Sequence, residues 1–136
     1  MSDTGAYLNQ AEVHAAVTDA FHRYEAALRA HDVAALDDFF LNSSVTCRFG
    51  VAEHAYGIAA VLAYRRRAQD LPSGRELQRT VITTIGTTAA SVSTEFTYPH
   101  SLLIGRQTQT WVNTSAGWKI LCAHVSEVAA QLLRRD

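Results

Sequence analysis

Arg48 is the residue of this chain best suited to bind an anion. It lies in the middle of residues 45–51, a run of β-branched and aromatic side chains that is typical of a strand. An unpaired guanidinium is costly to bury, and its planar fork of donors binds a carboxylate through two hydrogen bonds. The position therefore predicts either a carboxylate-binding residue or a structural ion pair with Glu53 or Glu95.

Tyr24 is the candidate proton donor. Apolar residues recur at steps of three and four through residues 9–29, which predicts an amphipathic helix with Tyr24 on its buried stripe. A buried phenol needs a hydrogen-bond partner, and a phenol that faces a cation can act as an acid or as an orienting donor. The alternative interpretation is an ordinary core tyrosine.

Polar side chains on the last two strand-like runs could orient a substrate. Gln107 and Gln109 share a face and could bind a urea-like amide, although a network on the sheet explains them equally well. Strict alternation places His124 with Ile120 and Cys122, as either a packed core residue or a catalyst. Both faces mix polar with large apolar side chains, which favours a small-molecule cavity, with a polar dimer face as the alternative.

Several kinds of site find no support in the sequence. No His, Cys or carboxylate pair has metal-ligand spacing and no glycine-rich loop follows a strand, so we expect neither a metal nor another cofactor. The net charge is −1, and the basic run at 65–67 indicates a solvated helix end rather than a nucleic-acid contact. The strand-like runs contain no Asp, which disfavours an isomerase mechanism that depends on strand aspartates.

Helices and a strand meander must position these residues. Asn9 is the expected cap of the first helix, with Glu12 completing a capping box, and Asp32 caps a second helix that ends at Phe40. The turns between the later strands are too short for parallel crossovers, so neighbouring strands should be antiparallel and the class α+β. The remaining predicted elements are a helix at 58–69 and strands at 45–51, 54–56, 77–85, 89–98, 104–113 and 118–126.

We expect one domain over residues 1–136, with a core at about 9–126 and a short C-terminal tail. No apolar stretch reaches the length of a membrane span and the N-terminus lacks a signal-peptide pattern, so the expected location is cytoplasmic, without membrane contact. Cys47 and Cys122 fit no metal or redox spacing and are expected to be reduced core residues. Because helices cover only one face of the sheet, the other face predicts a homodimer.

Several stretches of the chain resemble one family, from about residue 20 to residue 126. They read RYEAAL at 23–28, RFGVAE at 48–53, RTVITT at 79–84, GRQTQTWV at 105–112, GWKI at 117–120 and AHVS at 123–126. This pattern is similar to the NTF2-like (SnoaL-like) superfamily. Within it, the pattern resembles the family that holds oxalurate-catabolism companion proteins and the 1,3-dicarboxyurea decarboxylase of cyanuric-acid catabolism. Leu41, Cys122 and residues 98–103 depart from that pattern.

The resemblance implies a cone, in which a curved antiparallel sheet wrapped by N-terminal helices encloses a pocket. It also implies a cofactor-free lyase that decarboxylates an N-carboxylated urea, so the partner is a small carboxylate or ureido substrate. An accessory binding protein for an oxalurate-like acid and an NTF2-like isomerase or cyclase are the alternatives.

In the decarboxylase reading, Arg48 holds a carboxylate, Tyr24 delivers a proton, and Gln107, Gln109 or His124 orient the urea. An aromatic wall would favour neutral carbon dioxide over the charged carboxylate. The residues expected to form this wall are Phe21, Phe49, Trp111 and Trp118. Those expected at the mouth of the cone are Glu53, His54 and Tyr56.

Overall fold

The computed structural model describes residues 7–136. Their helices and strands follow the predicted order, and most element ends shift by only a few residues. The helices are α1 (Ala11–Arg29), α2 (Val33–Phe39) and α3 (Ile58–Arg67); the strands are β1 (Cys47–Phe49), β2 (His54–Tyr56), β3 (Glu76–Ile85), β4 (Ala89–Thr97), β5 (Leu103–Thr114) and β6 (Gly117–Ala129), after which a 3₁₀ turn forms at Ala130–Leu132. Within residues 7–136, no helix has both the length and the hydrophobicity to cross a membrane.

The strands form one six-stranded sheet in the order β2-β1-β6-β5-β4-β3. As predicted, β3 to β6 form an antiparallel meander. The sheet is nevertheless mixed, because β1 pairs with β6 in parallel, with Arg48 opposite Ala123. Sequence reasoning missed this pairing, which joins strands far apart in the chain. It places Arg48 within the sheet, beside the last strand of the meander.

Helix α1 packs its apolar stripe against one face of this sheet, here called the inner face. Phe21 and Tyr24 on the helix are 0% and 3% exposed, and Trp111 and Ile120 on the sheet are both 0% exposed. Burying each such side chain stabilises the fold by about 1.5–3 kcal/mol. The core therefore fixes the position of Tyr24, as the helical periodicity predicts.

The two predicted helix caps have different outcomes. Asp32 caps α2, since its Oδ1 accepts a hydrogen bond from the Ala35 N–H at 3.2 Å. The predicted Asn9 capping box is wrong, because α1 begins at Ala11 and Asn9 has a φ of 56°. The Asn9 N–H donates to the Thr84 carbonyl at 3.1 Å, and its Oδ1 accepts from the Thr84 N–H at 2.9 Å. Asn9 therefore links the segment that precedes α1 to strand β3.

A β-bulge in β6 corrects the predicted faces of the last strand. Thr110 pairs with Cys122 and Trp111 with Ile120, which leaves Leu121 as an extra residue. Ile120 therefore faces the helices, as Ala123 also does, and the two are 0% and 7% exposed. His124 lies on the opposite face and is exposed, so strict alternation wrongly grouped it with Ile120.

The opposite face of the sheet, here called the outer face, carries an aromatic cluster. Phe49 lies at its centre, with ring-centroid distances of 4.7 Å to His54, 5.6 Å to Tyr56 and 5.8 Å to His124. Tyr56 is 70% exposed. Cys47 and Cys122 pair in register and are free, but they are only half-buried rather than core residues.

Candidate functional site

A cavity of about 500 Å³ lies between α1, α3 and the inner face of the sheet. Its volume falls in the range of small-molecule sites, roughly 300–1,000 Å³. Five residues singled out from the sequence line it together: Tyr24, Arg48, Glu53, Gln107 and Gln109. The charged and polar residues that complete its wall include Arg65, Arg75, Tyr64, Tyr98, His31 and Glu127.

Arg48 reaches the cavity from the middle of β1. Its side chain is 10% exposed, and its Nη1 donates to Glu53 Oε1 at 3.3 Å. Its Cζ also lies 4.1 Å from the ring centroid of Tyr64, a cation–π distance. A Cβ at Gly50 would collide with Glu53 Oε1, so the absence of a side chain there makes room for the ion pair. Arg48 therefore forms the ion pair with Glu53 that one interpretation predicts, and it also lines the cavity.

Tyr24 reaches the same cavity from α1. Its ring packs edge-on against Phe39 and Trp111, at centroid distances of 5.7 and 6.3 Å. Its hydroxyl makes no hydrogen bond within residues 7–136. Burial raises the pKa of Tyr24, and the nearby charges of Arg65 and Arg48 oppose that rise. The phenol is therefore protonated in the neutral range, because the effect of burial outweighs that of the two positive charges.

A buried ion pair supports the cavity beside Tyr24. Arg75 Nε donates to Glu25 Oε1 at 2.9 Å and Nη2 to Oε2 at 3.2 Å, and both side chains are 3% exposed. Burial lowers the pKa of Arg75, but its hydrogen bond and attraction to Glu25 outweigh that effect, so the net pKa is raised. The Gln107 amide joins both partners, since Oε1 accepts from Arg75 and Nε2 donates to Glu25. Gln107 therefore has its amide engaged by protein groups.

Close packing around Gly105 positions the aromatic ring that contacts this ion pair. A Cβ at Gly105 would collide with the ring of Phe96, which occupies that space on the neighbouring strand. The Phe96 ring centroid in turn lies 4.1 Å from the Cζ of Arg75. Gly105, the first residue of the GRQTQTWV stretch, therefore has a packing role next to the site.

Gln109 has a free donor in the cavity wall. The residue is 2% exposed, and its Oε1 accepts a hydrogen bond from Trp111 Nε1 at 3.0 Å. This bond fixes which end of the amide carries the oxygen. Its Nε2 is buried and has no hydrogen-bond partner in the part of the chain that the structure describes. A buried unpartnered donor is unfavourable, so a ligand oxygen reaching Nε2 would be bound selectively.

Arg65 corrects the prediction that the basic run is a solvated helix end. Arg66 and Arg67 are exposed, but Arg65 is 6% exposed and lines the cavity. It follows Val61 by four residues and therefore lies on the buried side of α3. Helical periodicity was the signal that could have identified it.

The other predicted site residues do not line the cavity. Phe49, His54, Tyr56 and His124 belong to the aromatic cluster of the outer face, because β1, β2 and the bulged part of β6 turn those side chains away from the helices. The remaining aromatic side chains lie in or against the hydrophobic core behind the cavity: Phe21, Trp111 and Trp118.

Sequence reasoning also missed Glu25 and Arg75. Glu25 follows Phe21 by four residues, so the stripe of α1 could have revealed its burial. Arg75 lies between α3 and β3, where no periodicity applies. Four consecutive residues of the departing segment 98–103 line the cavity: Tyr98, Pro99, His100 and Ser101. Among the described residues, no group of three His, Cys, Asp or Glu side chains is placed to hold a metal ion.

Comparison with known proteins gives a family model described as AtzH-like, which matches residues 6–131. No curated protein matches the chain significantly. A crystal structure of a protein of unknown function from the DUF3225 family of Pectobacterium atrosepticum SCRI1043 is 47% identical, with a TM-score of 0.88 over 94% of this chain and 98% of that one.

Two further crystal structures are similar. A cystatin-like fold protein from Burkholderia xenovorans LB400 is 46% identical, with a TM-score of 0.87 over 90% of this chain and 96% of that one. An NTF2-like protein of unknown function from Pseudomonas putida KT2440 is 14% identical, with a TM-score of 0.72 over 86% and 87% of the two chains. The last comparison establishes the NTF2-like fold.

Proposed function

Because the chain belongs to the AtzH-like family of the NTF2-like superfamily, we propose that it is a cofactor-free decarboxylase of a small N-carboxylated urea such as 1,3-dicarboxyurea. The observation that carries the proposal is that Tyr24 and Arg48 line one cavity of about 500 Å³. A phenol and a guanidinium therefore border the space for one small ligand, for which they would serve as proton donor and carboxylate-binding group.

The reaction needs one proton and no electron sink. In an N-carboxylated urea, the proton adds to the nitrogen that carries the carboxylate. The bond between this nitrogen and the carboxylate carbon then breaks. Its electron pair stays on nitrogen, and the carboxylate leaves as carbon dioxide. For 1,3-dicarboxyurea the balance is one dianion and one proton giving the N-carboxyurea monoanion and carbon dioxide. The protein must therefore bind the carboxylate and deliver a proton to the nitrogen.

Tyr24 fits the acid role. Burial keeps its phenol protonated, and the charges of Arg65 and Arg48 stabilise the phenolate left after proton transfer. Arg48 fits the carboxylate role, since only one of its donors is engaged by Glu53. The free Nε2 of Gln109 would donate to the urea carbonyl. Gln107 would act indirectly, by keeping Glu25 and Arg75 in place.

Carbon dioxide release from 1,3-dicarboxyurea, measured above the spontaneous rate, tests the proposal. Arg48→Lys is expected to raise KM by roughly tenfold or more, because Lys keeps the charge but loses the bidentate fork. Arg106→Lys is the matched control, since Arg106 is exposed and hydrogen-bonds Ser126 away from the cavity. A native protein that binds oxalurate but releases no carbon dioxide from any ureido acid would instead be an accessory binding protein.

We also propose that the outer face pairs with a second copy of the chain. The aromatic cluster leaves large rings exposed on this face, and a two-fold interface is the commonest way to cover such a patch. Light scattering should give a mass near twice the 14.9 kDa of one chain. Tyr56→Asp should shift the measured mass toward one chain, whereas a native mass of one chain at micromolar concentration would rule out the dimer.

A further inference from the structure

We propose that Arg65 is a second anion-binding residue of the cavity, so that the site selects small dianions with one negative group bound to Arg48 and the other to Arg65. The inference rests on the proposed function in taking this cavity as the substrate site. It goes further by assigning a role to a residue that the family resemblance does not single out.

The placement of Arg65 distinguishes it from its neighbours. Arg66 is exposed, donates to the Leu62 carbonyl at 2.9 Å and lies 3.4 Å from Asp37. Arg67 is exposed and ends α3. Only Arg65 of this run turns inward, where it is 6% exposed and lines the cavity. A helix can present one of three consecutive arginines to a cavity because successive residues are about 100° apart.

Among the described residues, Arg65 is also the cavity arginine whose charge has no partner. Glu53 pairs with Arg48 at 3.3 Å and Glu25 pairs with Arg75 at 2.9 Å. Within residues 7–136, Arg65 makes no hydrogen bond or ion pair, and its guanidinium lies near the ring of Tyr64. Burial of an unpaired guanidinium is unfavourable. A bound anion would remove that penalty, so the site favours a ligand that carries one.

Arg48 and Arg65 lie close enough to share one small ligand. Their Cζ atoms are 4.1 and 5.5 Å from the same Tyr64 ring centroid, which bounds the distance between the two guanidinium groups. Both charges also act on the Tyr24 phenol, with Arg65 having the larger effect. Two carboxylates separated by a short chain would therefore reach both arginines, with the centre of the ligand next to Tyr24.

Calorimetric titration with two matched probes tests this assignment. Glutarate carries two carboxylates, and glutaramate has nearly the same shape with one carboxylate replaced by an amide. The native protein should bind glutarate roughly tenfold or more tightly than glutaramate, the scale of one charge-assisted hydrogen bond. Arg65→Gln should remove most of this preference by weakening glutarate alone. Arg67→Gln, an exposed arginine of the same helix turn, should keep it.

The possible outcomes separate this inference from the proposed function. An unchanged preference in Arg65→Gln, or an equal loss for both probes, would overturn the role of Arg65 even if carbon dioxide release is observed. An Arg65-dependent preference in a protein that releases no carbon dioxide would support the inference and remove the decarboxylase. If Arg65→Gln does not fold, a crystal structure of the native protein with glutarate decides, since a carboxylate must lie within hydrogen-bond distance of Arg65.

Discussion

Tyr24→Phe is expected to lower the turnover of 1,3-dicarboxyurea by roughly 100-fold or more, the usual contribution of a positioned general acid. The substitution removes one oxygen and keeps the ring that packs against Phe39 and Trp111. KM should change much less than kcat, because Arg48 remains to hold the carboxylate. The measurement is the rate of carbon dioxide release at saturating substrate.

The pH dependence gives a second readout of the same role. An acid must carry its proton, and burial raises the pKa of Tyr24 above its ordinary value, which is about 10. The phenol is therefore protonated throughout the neutral range. At any pH below roughly 10, we expect no fall in kcat that is caused by loss of the Tyr24 proton. Tyr7→Phe is the control for the loss of a phenol oxygen, and it should keep native turnover, since Tyr7 is 60% exposed. Near-native turnover in Tyr24→Phe would remove Tyr24 from the acid role.

A local period predicts the position of Tyr24, whereas the prediction for Arg48 depends on its residue type and on the family resemblance. Tyr24 lies on the apolar stripe of a 19-residue helix. Arg48 lies in a three-residue strand, and the next residue, Phe49, which was also expected at the cavity, faces outward. Side chains of a regular element have their direction fixed by spacing alone. The residue types then indicate the chemistry.

His124 shows where that reasoning fails. Its predicted face depends on unbroken alternation through β6, and the extra residue at Leu121 reverses the faces of every position beyond it. No residue type in that strand marks the bulge, which arises from the pairing with β5. The parallel pairing of β1 with β6 is hidden for a related reason, since no local pattern specifies which distant strand will be the neighbour.

The buried pair of Glu25 and Arg75 is the part of the site least accessible from sequence. Its members are 50 positions apart, and Arg75 lies outside the regular elements. Arg65 is different, because helical periodicity places it inward while the charges beside it suggest solvent. There the period of the helix was the better guide than local composition.

The Glu25–Arg75 pair makes a strong prediction about stability. Arg75 donates two hydrogen bonds to the Glu25 carboxylate, at 2.9 and 3.2 Å, and each side chain is 3% exposed. Taking charges out of water is expensive, so the pair need not stabilise the fold relative to a well-packed apolar pair. Removing one partner is a separate matter, because it leaves the other charge buried without compensation.

Arg75→Met is therefore expected to lower the free energy of unfolding by about 3–5 kcal/mol, measured by urea denaturation at fixed protein concentration. The double variant Glu25→Leu with Arg75→Met should recover part of that loss, since it removes the unpaired carboxylate. Arg135→Met breaks a bidentate pair with Glu95 at the surface, and it should change stability far less because water screens that pair. A double variant less stable than Arg75→Met would show that the loss comes from packing, since removing the stranded charge would then bring no gain.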